Sequence, residues 1–395
     1  MSSIKQIDEL TGLRGIAALF ILFNHILLIY PDLRQTFIAS PLGFLGFMGM
    51  DLFFILSGFV IYYNYADKIR QNPNDGIIKF LIARIARLYP LYLLFIAFFF
   101  VFNFLEMSPN YKAMASNFTS FPIYLSGMQS WFYGFINDTA IIYLQGSANI
   151  SWSISTEFAL YLFFIPIILL SLKAVKLKLR LETWHLLFVA LLMLNVFWIK
   201  WAGEETFISK AFDEIFGKID SYDPQTWLIY HSPLSRVFQF LIGVIVAIIY
   251  RNFDFQKQST KLYKILKALT FVILIVYITS INKITFTDKS TMSVIFSALI
   301  VLSTSIGTAK FLKTKPLILM GELSYSTYLL HIIFVQFLRY DGEHLISYVV
   351  NVPIFFIITY FVAWIVYKYY EMPMRKAVRN FLLMKYGENN EKKSS

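Results

Sequence analysis

The sequence predicts an all-α polytopic membrane protein of about ten transmembrane helices, with N- and C-termini cytoplasmic. Three observations predict it. Of 395 residues, 57% are hydrophobic and only 15% charged, against roughly 25% charged in a soluble globular protein. Most of the surface therefore faces a solvent other than water. Apolar runs long enough to cross a ~30 Å hydrocarbon core recur along the chain. The basic residues, finally, fall unevenly between alternate connections.

The runs place spans at 13–30, 44–63, 88–105, 152–171, 185–201, 234–250, 265–281, 291–308, 317–338 and 348–369. With the N-terminus inside, cytoplasmic segments hold 25 of the 35 Lys and Arg and outer segments nine. The net charge of +11 is thereby read as topology, not as a nucleic-acid surface. Cysteine is absent from the sequence, which excludes disulfides, thiol nucleophiles and thiolate metal centres; no metal site is expected. The first apolar segment is too long for a signal-peptide core and lacks a small-residue cleavage site, so it is read as span one. Residues 1–375 are expected to form one transmembrane domain, followed by a short cytoplasmic tail, 376–395. No further soluble domain is read at either end, and no inverted repeat.

Two outer connections stand out. Residues 106–150 are polar and aromatic, and long for a connection. Residues 202–233 carry Glu204, Glu205, Asp213, Glu214, Asp220 and Asp223. Both are expected to cover an outward-facing mouth, partly with short interfacial helices.

Ionisable groups inside a bilayer cost a few kcal/mol or more each, so the ones present are functional suspects. Span one carries His25, span two Asp51 with the small pair Ser57–Gly58, span four Glu157 and span nine His331. Each has a structural reading as well: Asp51 as a helix cap, Glu157 in the interface, His331 bonded to nearby backbone. All four fall at similar depth, in the middle-to-outer membrane, which suggests one buried polar site suited to moving a proton. At the inner end lie Arg14 and, in RIARLYP, Arg84 and Arg87. The latter two share a helical face, and guanidinium groups bind phosphate bidentately; lipid-headgroup snorkelling is the alternative. The stretch RGIAALFILFNH sets Arg14 and His25 about 16 Å apart on nearly one helix face. Physics alone leaves two classes open, a group-transfer enzyme and a proton-coupled transporter or glycan exporter.

At these residues the chain resembles the acyltransferase-3 family of bacterial integral membrane acyltransferases, from about residue 8 to 375. LTGLRGIAALFILFNH fits its Arg, ten residues, His opening at Arg14 and His25. GFMGMDLFFILSGFVI resembles its G-x-D-x-F-F-x-L-S-G-F run at Asp51, Ser57 and Gly58. RIARLYPLY matches the Arg-x-x-Arg element at Arg84, Arg87 and Pro90. SWSISTEFALY fits W-S-x-x-x-E-x-x-x-Y at Trp152, Ser153, Glu157 and Tyr161. SRVFQFLIG is similar to R-x-x-E-F-x-x-G at Arg236, Phe240 and Gly243, with Gln239 in place of the usual acid. LSYSTYLLH and YEMPMR match the closing elements, the former at Tyr328 and His331.

The resemblance implies transfer of an acyl group, usually acetyl, from cytoplasmic acyl-CoA to a hydroxyl of a glycan or glycolipid, in a bacterial inner membrane. Acetyl-CoA is then the donor substrate, with no permanently bound cofactor; the partners are acyl-CoA, a glycan or lipid-linked saccharide, and the bilayer. Some relatives carry a fused extracytoplasmic esterase-like domain; this chain is expected to act alone or with a separate partner. On this reading Arg14, Arg84 and Arg87 hold the CoA phosphates. His25, oriented by Glu157 or Asp51, takes the acceptor proton, or carries the acyl group itself. Trp152, Ser153, Tyr161, Arg236, Tyr328 and His331 bind the acceptor or shape the site. A succinyl donor is the nearest variant, with Arg236 as its extra cation.

Overall fold

The computed structural model describes residues 7–107, 111–136, 139–176, 179–204, 207–216, 222–280, 285–307, 309–338 and 345–394. Among them, ten helices are long and apolar enough to cross a membrane. They are numbered here α1 (Asp8–Ile29), α2 (Ala39–Gln71), α3 (Pro73–Met107), α4 (Trp152–Lys176), α5 (Leu181–Gly203), α6 (Pro233–Asn252), α7 (Lys261–Ser280), α8 (Phe286–Gly307), α9 (Lys315–Leu338) and α10 (Leu345–Val366). A π-turn at Tyr367–Glu371 leads into a last helix, Met372–Ser394. The all-helical expectation holds. Strand structure among the described residues is confined to one antiparallel pair, Phe135–Ile136 with Thr139–Ala140.

Helices α2 and α3 run well past the apolar spans 44–63 and 88–105. Hydropathy registers only the part of a helix that needs lipid, whereas the 33 residues of α2 extend about 50 Å. Their junction is written in Gln71-Asn72-Pro73. Proline disfavours the helical region for the residue before it and suits a first helical turn. Asn72 is accordingly extended (φ −145°, ψ 97°), and its side-chain oxygen accepts the Asp75 amide at 3.2 Å. Lys79 pairs with Asp75 one turn on, at 2.9 Å.

Helices α2, α6 and α8 are the most enclosed, while α7 turns most of its surface outward. Enclosure depends on backbone contact at glycines. A Cβ on Gly58 of α2 would stand 2.0 Å from the Phe240 carbonyl of α6, and one on Gly243 1.9 Å from the Ile55 carbonyl. The motifs LSGF and FQFLIG are therefore the two halves of one reciprocal crossing. Helices α1 and α9 meet the same way: a Cβ on Gly15 would lie 2.9 Å from the Gly321 amide, and one on Gly321 1.9 Å from the Thr11 carbonyl.

The connections between α3 and α4 and between α5 and α6 contain short helices, Tyr111–Leu125 and Phe207–Phe216. They pack on one another as a roof. Tyr133 donates to the Tyr222 carbonyl (3.0 Å) and Trp227 Nε1 to the Ser130 carbonyl (3.1 Å). The roof is pinned to the start of α4 through Gln129 and Ser151 (2.9 Å), Ser130 and Ser155 (2.8 Å), and Trp131 Nε1 and the Ser155 carbonyl (2.9 Å).

Gly58→Ala forces a methyl into the Phe240 backbone and is expected to cost about 1–3 kcal/mol, as overpacking does. Thermal unfolding in detergent measures it; an unchanged midpoint would refute the tight crossing.

Candidate active site

Helices α1, α2, α3, α4 and α9 converge on two joined cavities. The outer one, a funnel of ≈ 460 Å³, opens at the end of the bundle where α1 and α3 begin. The inner one, a chamber of ≈ 70 Å³, lies between Met50–Ile61 of α2, Ser153–Glu157 of α4 and Ser324–Tyr328 of α9. Five residues line both: Arg14, Val60, Arg84, Arg87 and Tyr325. The three arginines expected to act together thus form a collar where funnel meets chamber.

The collar is built by local chemistry. Arg84 is buried and rests against the Tyr65 and Tyr161 rings, 5.3 and 5.9 Å from their centroids. Its Nη2 donates to the Tyr65 hydroxyl at 3.4 Å, while Nε has no hydrogen-bond partner among the described residues. A buried donor without a partner is costly, and Arg84 lines both cavities. Tyr325 closes the side wall, donating to the Leu88 carbonyl at 2.6 Å, and Tyr370 donates to the Pro90 carbonyl at 3.1 Å.

In the chamber, Glu157 accepts from Ser57 (3.1 Å) and from Tyr161 (2.5 Å). This joins the LSGF serine to the W-S-x-x-x-E-x-x-x-Y element. Ser153 donates to the Tyr328 hydroxyl at 2.7 Å, and Tyr328 donates to the Ile150 carbonyl at 2.6 Å.

One turn beyond Tyr328, His331 Nε2 lies 2.7 Å from His25 Nδ1, with the rings stacked at 4.7 Å. The tautomers follow from the far end. His331 Nδ1 lies 3.3 Å from the Thr327 carbonyl, which can only accept, so this nitrogen carries the proton. In a neutral ring Nε2 then holds a lone pair. It takes the Nδ1 hydrogen of His25 and leaves His25 Nε2 with a free lone pair. The pair presents one base, oriented by the other imidazole.

Asp51 sits elsewhere. It binds Arg236 Nη1 at 2.7 Å and Ser293 Oγ at 2.5 Å, with both ion-pair side chains 3% exposed. Arg236 is boxed by Phe54, Trp152 and Tyr230, 5.3, 5.6 and 4.7 Å from their ring centroids, and donates through Nε to the Tyr230 carbonyl. A Ser232-Pro233 cap starts α6 and fixes Arg236 in its first turn. Tyr222, its phenol pushed up by burial, shares a 2.7 Å hydrogen bond with His231 Nδ1 beside Trp152. The four ionisable residues grouped by depth therefore resolve into three hydrogen-bonded sets: His25 with His331, Glu157 with Ser57 and Tyr161, Asp51 with Arg236 and Ser293. His25 is oriented in this structure by His331, while the hydrogen bonds of Glu157 and Asp51 go to other partners.

The family described as an acyltransferase domain matches residues 7–368, the whole bundle from the Arg14 helix through α10. The chain belongs to the acyltransferase-3 family. Similar members include "Putative O-acetyltransferase SACOL0978" of Staphylococcus aureus strain COL, 25% identical over 402 residues, covering 94% of this chain and 58% of that protein. "O-acetyltransferase OatA" of Staphylococcus aureus strain NCTC 8325 / PS 47 is 24% identical over 396 residues, covering 95% and 58%. The chain thus spans a little over half the length of these relatives. No solved structure matches it.

Within this acyltransferase-3 chain, sequence reasoning passed over Lys68, Tyr65 and Tyr325, and left Arg375 without a role; Lys68, Tyr65, Tyr325 and Arg375 all line the funnel. The signal for Tyr325 and Arg375 was present in LSYSTYLLH and YEMPMR.

Asp51→Ala strands the buried Arg236 charge and is expected to cost about 3–5 kcal/mol, whereas adding Arg236→Leu restores part of it. Thermal midpoints of the two variants test this; equal midpoints for Asp51→Ala and the parent would refute a structural role for the pair.

Proposed function

We propose that this protein is a membrane O-acyltransferase moving an acetyl group from acetyl-CoA to a hydroxyl of a cell-surface or secreted glycan or glycolipid. The observation that carries it is the arginine collar. Three guanidinium groups from α1 and α3 surround the entrance to a narrow chamber, with a base one helical turn past its far end. Phosphates suit the collar, and an uncharged acyl arm suits the chamber, which is lined by Met50, Phe53, Phe54, Ile61 and Leu88. The family and the names of the O-acetyltransferase relatives support the same reading. The basic end then faces the cytoplasm, in accord with the positive-inside distribution, and the roof faces outward.

The collar holds the CoA phosphates while the acyl arm passes Glu157 toward Tyr328. An acceptor hydroxyl, arriving beneath the roof, lies against His25 Nε2. Its oxygen attacks the thioester carbonyl carbon as His25 takes the proton. The resulting imidazolium strengthens the bond from Nδ1 to His331, which becomes charge-assisted. The carbon–sulfur bond breaks, and the CoA sulfur leaves with the proton that His25 returns. Asp51 and Arg236 hold α2 and α6 in register behind the site. The Arg236 charge is engaged by Asp51, which favours an acetyl over a dicarboxylic donor.

His25→Ala is expected to abolish acetyl transfer, by 10²-fold or more as for loss of a general base, with acetyl-CoA binding retained. Retained transfer in a purified reconstituted assay would sink the assignment. Arg84→Ala is expected to weaken acetyl-CoA binding about 10-fold or more, the value of a charge-assisted hydrogen bond. Unchanged affinity in a titration would return the collar to lipid-headgroup contact.

A further inference from the structure

The funnel continues outward from the collar, and its rim carries charges that the transfer reaction does not use. Lys68 on α2 and Arg375 in the last helix both line it. Lys68 lies over the ring of Tyr65, 5.2 Å from its centroid, and Arg84 of the collar is 5.3 Å from the same centroid. One tyrosine ring therefore contacts both a collar cation and a rim cation. Arg375 is held in place by the YEMPMR segment. Glu371, one turn earlier, is buried and accepts from Ser326 on α9, and Tyr370 bonds the Pro90 carbonyl of α3. That clasp fixes the last helix against the funnel wall. Among the described residues, no carboxylate lies within 4 Å of Arg14, Lys68, Arg87 or Arg375. The funnel as a whole is lined by five cations, Arg14, Lys68, Arg84, Arg87 and Arg375, against two carboxylates, Glu322 and Glu371.

Cations in two tiers match a ligand with two separate anionic groups. CoA is such a molecule: a diphosphate joins the pantetheine arm to the ribose, and a further phosphate hangs on the ribose 3′-oxygen beside the adenine. A phosphopantetheine arm on a carrier protein has one phosphate and no nucleotide.

Resting on the donor reading above, we infer that Lys68 and Arg375 form a rim subsite for the ribose 3′-phosphate of CoA, which selects a free CoA thioester over other acyl carriers. The diphosphate occupies the collar at Arg14, Arg84 and Arg87. The Tyr63 and Tyr367 rings, which share the funnel lining, offer aromatic faces to the adenine.

The test compares CoA with 3′-dephospho-CoA by titration calorimetry on the full chain in lipid nanodiscs. The parent protein is expected to bind CoA about 10- to 100-fold more tightly, the effect of one charge-assisted phosphate contact. The double variant Lys68→Gln/Arg375→Gln is expected to bind the two equally, at the parent's dephospho-CoA affinity. That pattern also shows the variant to be folded, because the collar still binds. Equal affinity of the parent for both ligands would overturn the rim subsite alone. So would a double variant that loses the same factor for each ligand. Binding of neither ligand by the parent would instead remove the donor reading and the rim with it.

Discussion

The site depends on how closely two parallel helices approach. Gly15 and Gly321 let α1 and α9 touch backbone to backbone, and that contact fixes their register. Ten residues further along each helix stand His25 and His331, whose ring nitrogens meet across the same interface. The spacing equals about 15 Å of helix, so glycine contact near one end and imidazole contact deep in the bundle are one alignment seen twice. Shifting either helix by one residue would turn its own ring away from the other by 100°. The crossing of α2 on α6 does the same for the wall opposite. It brings Arg236 onto Asp51.

These close crossings explain why polar groups are tolerated in an apolar bundle. A buried charge or imidazole is costly unless its hydrogen bonds are met. Asp51, Arg236 and Ser293 satisfy one another, as do His25 and His331 with the Thr327 carbonyl. Arg84 differs, as does Arg251: each has a buried guanidinium nitrogen without a hydrogen-bond partner among the described residues. Arg84 stands at the collar, where a ligand would supply the missing acceptor.

Much of the fold was legible in the sequence because lipid imposes a simple rule: every spanning stretch must be apolar and helical. The ten spans followed from that rule, and the extensions of α2 and α3 did not, since YYNYADKIRQ and NDGIIKF are helical without being apolar. The collar was legible because Arg84 and Arg87 share a face and Arg14 shares their end. The grouping of His25, Asp51, Glu157 and His331 was legible only as depth. Depth is one coordinate; which way each side chain points around its helix is set by neighbours far away in the chain. Ser293 as a partner for Asp51, and His331 as the partner of His25, come from that second coordinate.

The collar has a consequence for the membrane itself. A funnel open at one end of the bundle leads to a chamber that ends one helical turn short of the His25–His331 pair, a line of polar groups that could begin a proton path. Three guanidinium groups set where funnel and chamber share their lining raise an electrostatic barrier to protons and hydrated cations, as arginine does in selective pores. Guanidinium carries its charge at physiological pH. The same charges that suit an anionic ligand would keep such a cavity in a bilayer from becoming an ion leak.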